Sequence, residues 1–492
     1  MERLLPTALA LLALSFSALA DQTTGGVNWL DPLAYTKPRF MAITVPTEAS
    51  VTNKWFVDLG TGSGNTCTQS SPCSWSSVMS KAGVGTGGPA YIYIRGSGGL
   101  SQLGASLIGA SGKEIVIKPW DNNTTATITG RNNWAANLQW VIFDGGPNMQ
   151  IRFVNSGSGQ FDPSMFFNSD TNNQHDVIFY RTRWQVTNAG EWIASWGNLT
   201  NFSWINSEFY ALGATDANNQ HHMYLSGGDS TVPAHTMNGI YILNNIFRDT
   251  PGEAIELRMA NTGNVLTNLV VDGNAFHDIG KGTCVSSWKC RSAITFSEEG
   301  GGNLVAPMRA SNNLIWDTGE GCLRTWDNPA ATQIYNNTCY NWGMGSPANG
   351  LYSSTAFTNF GFTDASGTFA NNILYATGTD AGGNSKKPFP PTAPTSAKSN
   401  SACALLTSCG GTSDLPNLPA GSFLSLNEND PGFLRPTGTS PALGKGTNFS
   451  SVFTSDYFGN TRSSTGAWAI GAIECLRGTS TVCAPANLRV VP

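Results

Sequence analysis

The chain is poor in the side chains that do most acid–base work. Of 492 residues only 5 are histidine, charged residues make up 12%, and the formal net charge is −5. So small a balance leaves no basic footprint for nucleic acid and no long-range pull on a polyanion. Beyond the first twenty residues no apolar run is long enough for a membrane-spanning helix, and long amphipathic helical patterns are missing too. What fills the space is 55 glycines with many Asn, Ser and Thr, the composition of an all-β chain with many turns.

The N-terminus sets the expected compartment. Arg3 precedes an apolar run from Ala8 to Phe16, and Ala18-Leu19-Ala20 fits the small-residue rule for cleavage. Residues 1–20 therefore read as a signal peptide of a secreted protein, extracellular or periplasmic. The ten cysteines fall into neighbours: Cys67/Cys73, Cys284/Cys290, Cys322/Cys339, Cys403/Cys409 and Cys475/Cys483. In an exported protein such pairs read as local disulfides; the spacings are not those of zinc knuckles.

A repeat organises the rest. HHMYL at 221–225, EAIEL at 253–257, SAITF at 292–296, GCLRT at 321–325 and NGLYS at 349–353 can be superposed. Between them recur NNIF (244–247), GNAF (273–276), NNLI (312–315), NNTC (336–339) and NNILY (371–375). A strand, an Asn-marked turn and another strand, returning every 24 to 39 residues, predicts a solenoid of parallel strands. Residues 21–53 read as an extended leader. A short helix follows from Ser74 as N-cap, with Trp75, Val78, Met79 and Ala82 as its apolar stripe, covering the open end of the coil. Residues 377–411, rich in Pro, Ser, Gly and Lys, read as an excursion from the rod, and 475–492 as a tail.

The order of strand, Gly-rich loop, SPCSWSSVMSKAG and a strand ending in RG resembles the N-terminal entry of secreted right-handed parallel β-helix proteins, the pectate-lyase-like superfamily. The segment 430–474, with SPAL, D-x-x-G-x-x-R and IGAIE, is similar to that group's closing segment. The resemblance covers about Lys54 to Glu474. It implies a right-handed parallel β-helix with an N-terminal capping helix and a role in polysaccharide degradation. That superfamily also holds hydrolases, esterases, epimerases and adhesins. Its NTD, HGH and RIK patterns of pectin hydrolases and the DPH pattern of alginate epimerases are absent.

Alternation in a strand assigns faces. With Met223, Leu225, Ile255, Leu257, Ile294, Phe296, Leu323 and Leu351 inward, one outer column reads Tyr224, Glu256, Thr295, Arg324, Tyr352. The next reads Ser226, Arg258, Ser297, Trp326, Ser354, and His222 stands one step earlier. EWIASWGN (191–198) reads as the preceding rung, with Trp192 and Trp196 outward. Aromatic rings stack on sugars and arginine forks bind carboxylates, so this face is the candidate polysaccharide site. An ion-pair ladder and half-buried strand aromatics are the competing structural explanation of the same residues.

Two chemistries compete. A lyase would neutralise a uronate carboxylate with Arg258 and Arg324, alone or with Ca²⁺ held by Glu253 and Glu256, and would move protons with Tyr224 or His222. Lys289 and Arg291 are further basic candidates. A hydrolase would pair Glu256 with Asp327, Glu298, Glu299 or Glu320, none of which shares its column. A glycan-binding adhesin presenting the same face is the non-enzymatic alternative. The lyase reading is preferred, on a polysaccharide substrate, for a monomer with no nucleic-acid or membrane partner.

Overall fold

In a computed structural model the described residues are 46–475, except 101–105, 131, 135–136, 156–164, 168–173, 187–192, 196, 212–220, 227–233, 260–261, 281–282, 285–291, 298–302, 327–331, 345, 348–356, 361–367, 377, 381–383, 388–397, 400, 404–408, 410–411 and 431. The segment read as a signal peptide, most of the expected leader and most of the expected tail lie outside them. Among the described residues no helix is long and apolar enough to cross a membrane.

The strands form a parallel β-helix. Among the described residues, twenty-three of them belong to one sheet that bends round two faces of the coil. The bend shows in Ala90–Gly98, whose first half pairs with Ile115–Pro119 and whose last residues pair with Ala126–Thr129. A separate eight-stranded sheet forms the remaining face. It runs through Asn132–Trp134, Met165–Phe167, Ile193–Ser195, His221–Ser226, Glu253–Arg258, Ile294–Ser297, Leu323–Trp326 and Phe357–Phe360, all parallel. Each circuit of chain adds one strand to each face. Side chains at equivalent positions therefore stack at the strand spacing of about 4.8 Å.

Stacking explains the core. Phe153, Trp184, Phe209, Phe247 and Phe276 form an internal column with successive ring centroids 4.0, 5.7, 4.6 and 4.8 Å apart. The asparagine turns form a second column. Asn244, Asn312, Asn336 and Asn371 adopt φ of 57°, 52°, 52° and 58°, a left-handed conformation that Asn tolerates better than most residues, and Gly273 takes 67° in the same position. The asparagine that follows turns inward. Asn245, Asn274, Asn313 and Asn337 each donate from Nδ2 to the side-chain oxygen of the next member at 2.9–3.1 Å, ending on Asn372. Each also donates to a main-chain carbonyl such as Ile242 O or Val271 O, so the buried turn amides are paired.

Several expectations need adjusting. The helix Trp75–Val78 is a single turn: Ser74 accepts from Ser77 N, Trp75 and Val78 join the core, but Ala82 is exposed. The leader's last residues are tied to the outside of the sheet, Tyr91 donating to Pro46 O at 2.7 Å and Lys118 to Glu48 at 3.0 Å. The excursion at 377–411 contains a further rung, because Lys398–Ser399 pairs with Phe369–Ala370 and Ala402–Cys403 with Ile373–Leu374. The chain then folds back along the asparagine turns. There Arg462, buried, donates to Asn312 Oδ1 and to Glu474, the structural tie its D-x-x-G-x-x-R setting suggests. The disulfides Cys67–Cys73, Cys322–Cys339 and Cys403–Cys409 are formed. Cys475 is also disulfide-bonded, while Cys483, Cys290 and the side chain of Cys284 lie outside the described residues.

Candidate functional site

The site sheet does not alternate strictly. Ala254 and Ile255, Ala293 and Ile294, and Cys322 and Leu323 are consecutive residues, yet all six lie in the core. Two successive inward residues mean that the coil turns a corner there. The residue before each pair and the residue after it then share the outer side.

On the first of these rungs the inward pair is His222 and Met223. The His222 ring lies 5.6 Å from Phe247 and 6.2 Å from Phe209, inside the aromatic column. Burial, followed by the nearby charges of Arg248 and His221, pushes its imidazole well below its ordinary value and keeps it neutral. The expectation that His222 faces outward and moves protons is therefore corrected: the corner turns it in and brings His221 out. The His221 and Tyr224 rings sit side by side at 5.0 Å.

The outer columns then assemble a compact site. Register pairs His221 with Glu253, Tyr224 with Glu256 and Ser226 with Arg258, then Glu256 with Thr295 and Thr295 with Arg324. His221 Nε2 is 2.7 Å from Glu256 Oε2 and 3.6 Å from Glu253 Oε2. Thr295 donates to Glu253 Oε1 at 2.8 Å, and an Arg324 guanidinium nitrogen lies 3.7 Å from that same oxygen and 3.9 Å from Glu320. Arg258 donates to the Tyr224 hydroxyl at 3.0 Å. Burial grades across the cluster: Glu253 is fully buried and Arg324 and His221 nearly so, Glu256 and Tyr224 reach 6% and 9% exposure, and Arg258 is half-buried. The outer rim is thus Arg258, Tyr224 and Glu256, resting on a charged floor.

Among the described residues the cluster holds three carboxylates (Glu253, Glu256, Glu320) and two guanidinium groups (Arg258, Arg324). Calcium fits this donor set poorly. It takes six to eight oxygens, whereas two carboxylates and a ring nitrogen converge here.

Other expected members fall differently. Ala194 pairs with Tyr224, so EWIASWGN is the preceding rung as read, but Trp192 and Trp196 lie outside the described residues. Arg324 pairs with Thr358 of Phe357–Phe360, so the position assigned to Tyr352 belongs to Thr358; Tyr352 itself is outside the described residues. Trp326 occupies its expected place in the Arg258 column, with its side chain outside the description. Lys289, Arg291, Glu298, Glu299 and Asp327 also lie outside. Sequence reasoning missed His221 as an outward group and Thr295 as the partner of Glu253. The available signal was the adjacent apolar pair in EAI, SAI and GCL, which a strict two-residue period ignores.

Among solved structures the chain is similar to pectate lyase Pel9A, with a TM-score of 0.52 at 14% identity over 86% of this chain and 97% of that one. A rhamnogalacturonan lyase gives 0.43 at 12% identity, over 78% and 96% of the two chains. A GH136 lacto-N-biosidase from Eubacterium ramulus gives 0.35 at 10%, over 75% and 68%. No protein-family model and no curated protein matches the chain. What the first likeness shows is the fold, a parallel β-helix spanning nearly all of the neighbour's length.

Proposed function

We propose that this chain is a secreted polysaccharide lyase that cleaves a uronate-containing polymer by β-elimination. The observation that carries the reading is the rim of the site, where Arg258 holds the Tyr224 hydroxyl at 3.0 Å beside the His221–Glu256 pair. Elimination needs a cation to neutralise the sugar carboxylate, a group to take the proton from C5, and a proton for the leaving oxygen at C4. Half-buried Arg258 is placed to grip the carboxylate with its planar fork. Tyr224, ordered by that arginine, moves the proton. His221, turned by Glu256, stands next to it as the second group able to exchange protons. Arg324 takes a different part from the one its column suggests. Nearly fully buried between Glu253 and Glu320, it holds the charged floor in place and leaves the substrate carboxylate to Arg258. Trp326, with Trp192, Trp196, Lys289 and Arg291, is proposed as the sugar-binding surround.

Retaining or inverting hydrolysis fits less well. It requires two carboxylates facing each other across a bond. Among the described residues, Glu253 and Glu256 instead turn to the same imidazole, and Glu253 is fully buried. Glu320, one of the partners expected for Glu256, lies against Arg324; Glu298, Glu299 and Asp327 are outside the described residues. Incubation with a panel of acidic polysaccharides separates the readings. Ultraviolet absorbance of an unsaturated sugar end supports elimination. New reducing ends without that absorbance point to hydrolysis, and glycan retention without cleavage to a binding protein.

A further inference from the structure

We infer that His221, Glu253 and Glu256 form a site for one divalent transition-metal ion, of the manganese or zinc type, on the floor of the proposed catalytic face. The inference deepens the lyase reading by giving that face a resident cation. It rests on that reading only for what the ion would serve.

Three observations carry it. First, one ligand atom from each residue lies within 4.8 Å of the others, close enough for a single ion to gather them after small side-chain adjustments. Second, the donors come from adjacent rungs of a rigid sheet, His221 opposite Glu253 and Glu256 opposite Tyr224, so main-chain pairing fixes their spacing. Glu253 is further oriented from behind, because Thr295 holds Oε1 and thereby turns Oε2 toward the imidazole. Such a hydrogen bond from behind a ligand is the usual means of aiming a carboxylate at a metal. Third, continuing the register two residues back from the Ile255–Ile294 pair places Ser292 beside Glu253. Its hydroxyl is fully buried and has no hydrogen-bond partner among the described residues. A buried hydroxyl left over beside a carboxylate of the cluster points to an ion or its water.

The donor chemistry selects the ion class. An imidazole nitrogen with two carboxylates suits zinc or manganese, whereas calcium and magnesium favour oxygen-only sets. In the absence of an ion, the short His221–Glu256 contact is an ordinary charge-assisted hydrogen bond, and binding exchanges its proton for the metal.

The test uses the full secreted chain, stripped with EDTA and free of polysaccharide. Manganese binding is followed by electron paramagnetic resonance, zinc binding by calorimetry, and calcium serves as the comparison. The inference expects one manganese or zinc ion per chain, with calcium weaker by roughly tenfold or more. Glu253→Gln and His221→Asn should abolish saturable binding. Thr295→Val, which leaves all three donors in place, should weaken it by roughly tenfold to a hundredfold, keeping the test decisive if either ligand variant fails to fold. Absence of saturable binding overturns the inference, as does binding that ignores Thr295→Val, or calcium matching manganese and zinc. Unsaturated product from a chain that binds no ion removes the metal and leaves the lyase standing. An ion bound with these variant effects, but no product from any acidic polymer, upholds the metal and removes the lyase.

Discussion

Two corners of this coil solve the same problem in opposite ways. At one, Asn245, Asn274, Asn313, Asn337 and Asn372 repeat one residue rung after rung, and each amide satisfies the next. At the other, one column holds His221, Glu253 and Ser292 and the next Tyr224, Glu256, Thr295 and Arg324, with no residue type repeated within a column. A solenoid gains stability from repetition, because identical neighbours share identical bonds. Chemistry needs different groups converging on one point. In this molecule the broken repeat marks the candidate site, and the kept one marks the scaffold.

That contrast can be tested from either side. The largest effect is expected on the varied corner. Tyr224→Phe should lower the cleavage rate by roughly a hundredfold to ten-thousandfold while leaving the thermal midpoint close to wild type. A slow variant that has also lost stability would blur the contrast. On the repeated side, Arg462→Ala should cost about 3 kcal/mol or more, because Glu474 is left buried without its partner. Denaturant titration reads this loss, and activity at low temperature should survive it. Asn313→Ala should cost about 2–3 kcal/mol by removing the acceptor of the Asn274 main-chain N–H and the side-chain donor to the Val271 carbonyl. If it costs nothing, the ladder is not what ties the rungs together.

The smallest effect concerns His222. Its imidazole is held well below the ordinary value in the fold, so the unfolded chain binds the proton more readily. The stability this contributes is complete above about pH 6.5 and is lost as pH falls toward the depressed folded value, by up to about 1.4 kcal/mol per pH unit. Replacing it with phenylalanine, in keeping with the ring column it joins, should flatten the fall of the thermal midpoint between about pH 7 and about pH 5. An unchanged slope would place the proton elsewhere.

Much of the architecture was legible because repetition is legible. The NN turns announced the ladder, and the phrases from HHMYL to GCLRT announced four strands in their true register. The fifth phrase misled: NGLYS looks like a rung, yet the strand that pairs with Leu323–Trp326 is FTNF, which shares none of the pattern. The site was half legible for a related reason. Alternation located Tyr224, Glu256, Arg258 and Arg324 on one outer face, but a corner adds one residue to the count, and that extra residue exchanged His221 for His222. Contacts across rungs, such as Thr295 to Glu253, depend on side-chain reach and leave no mark in a linear pattern.

The central claim, that the varied corner performs elimination on an acidic polysaccharide, is met most directly by one measurement. Wild type and Tyr224→Phe, matched for thermal midpoint, are followed by ultraviolet absorbance on the same panel of uronate polymers. The account predicts a rise in unsaturated product with wild type on at least one polymer and almost none with the variant. Equal rises, or none from wild type on any uronate polymer, would contradict it.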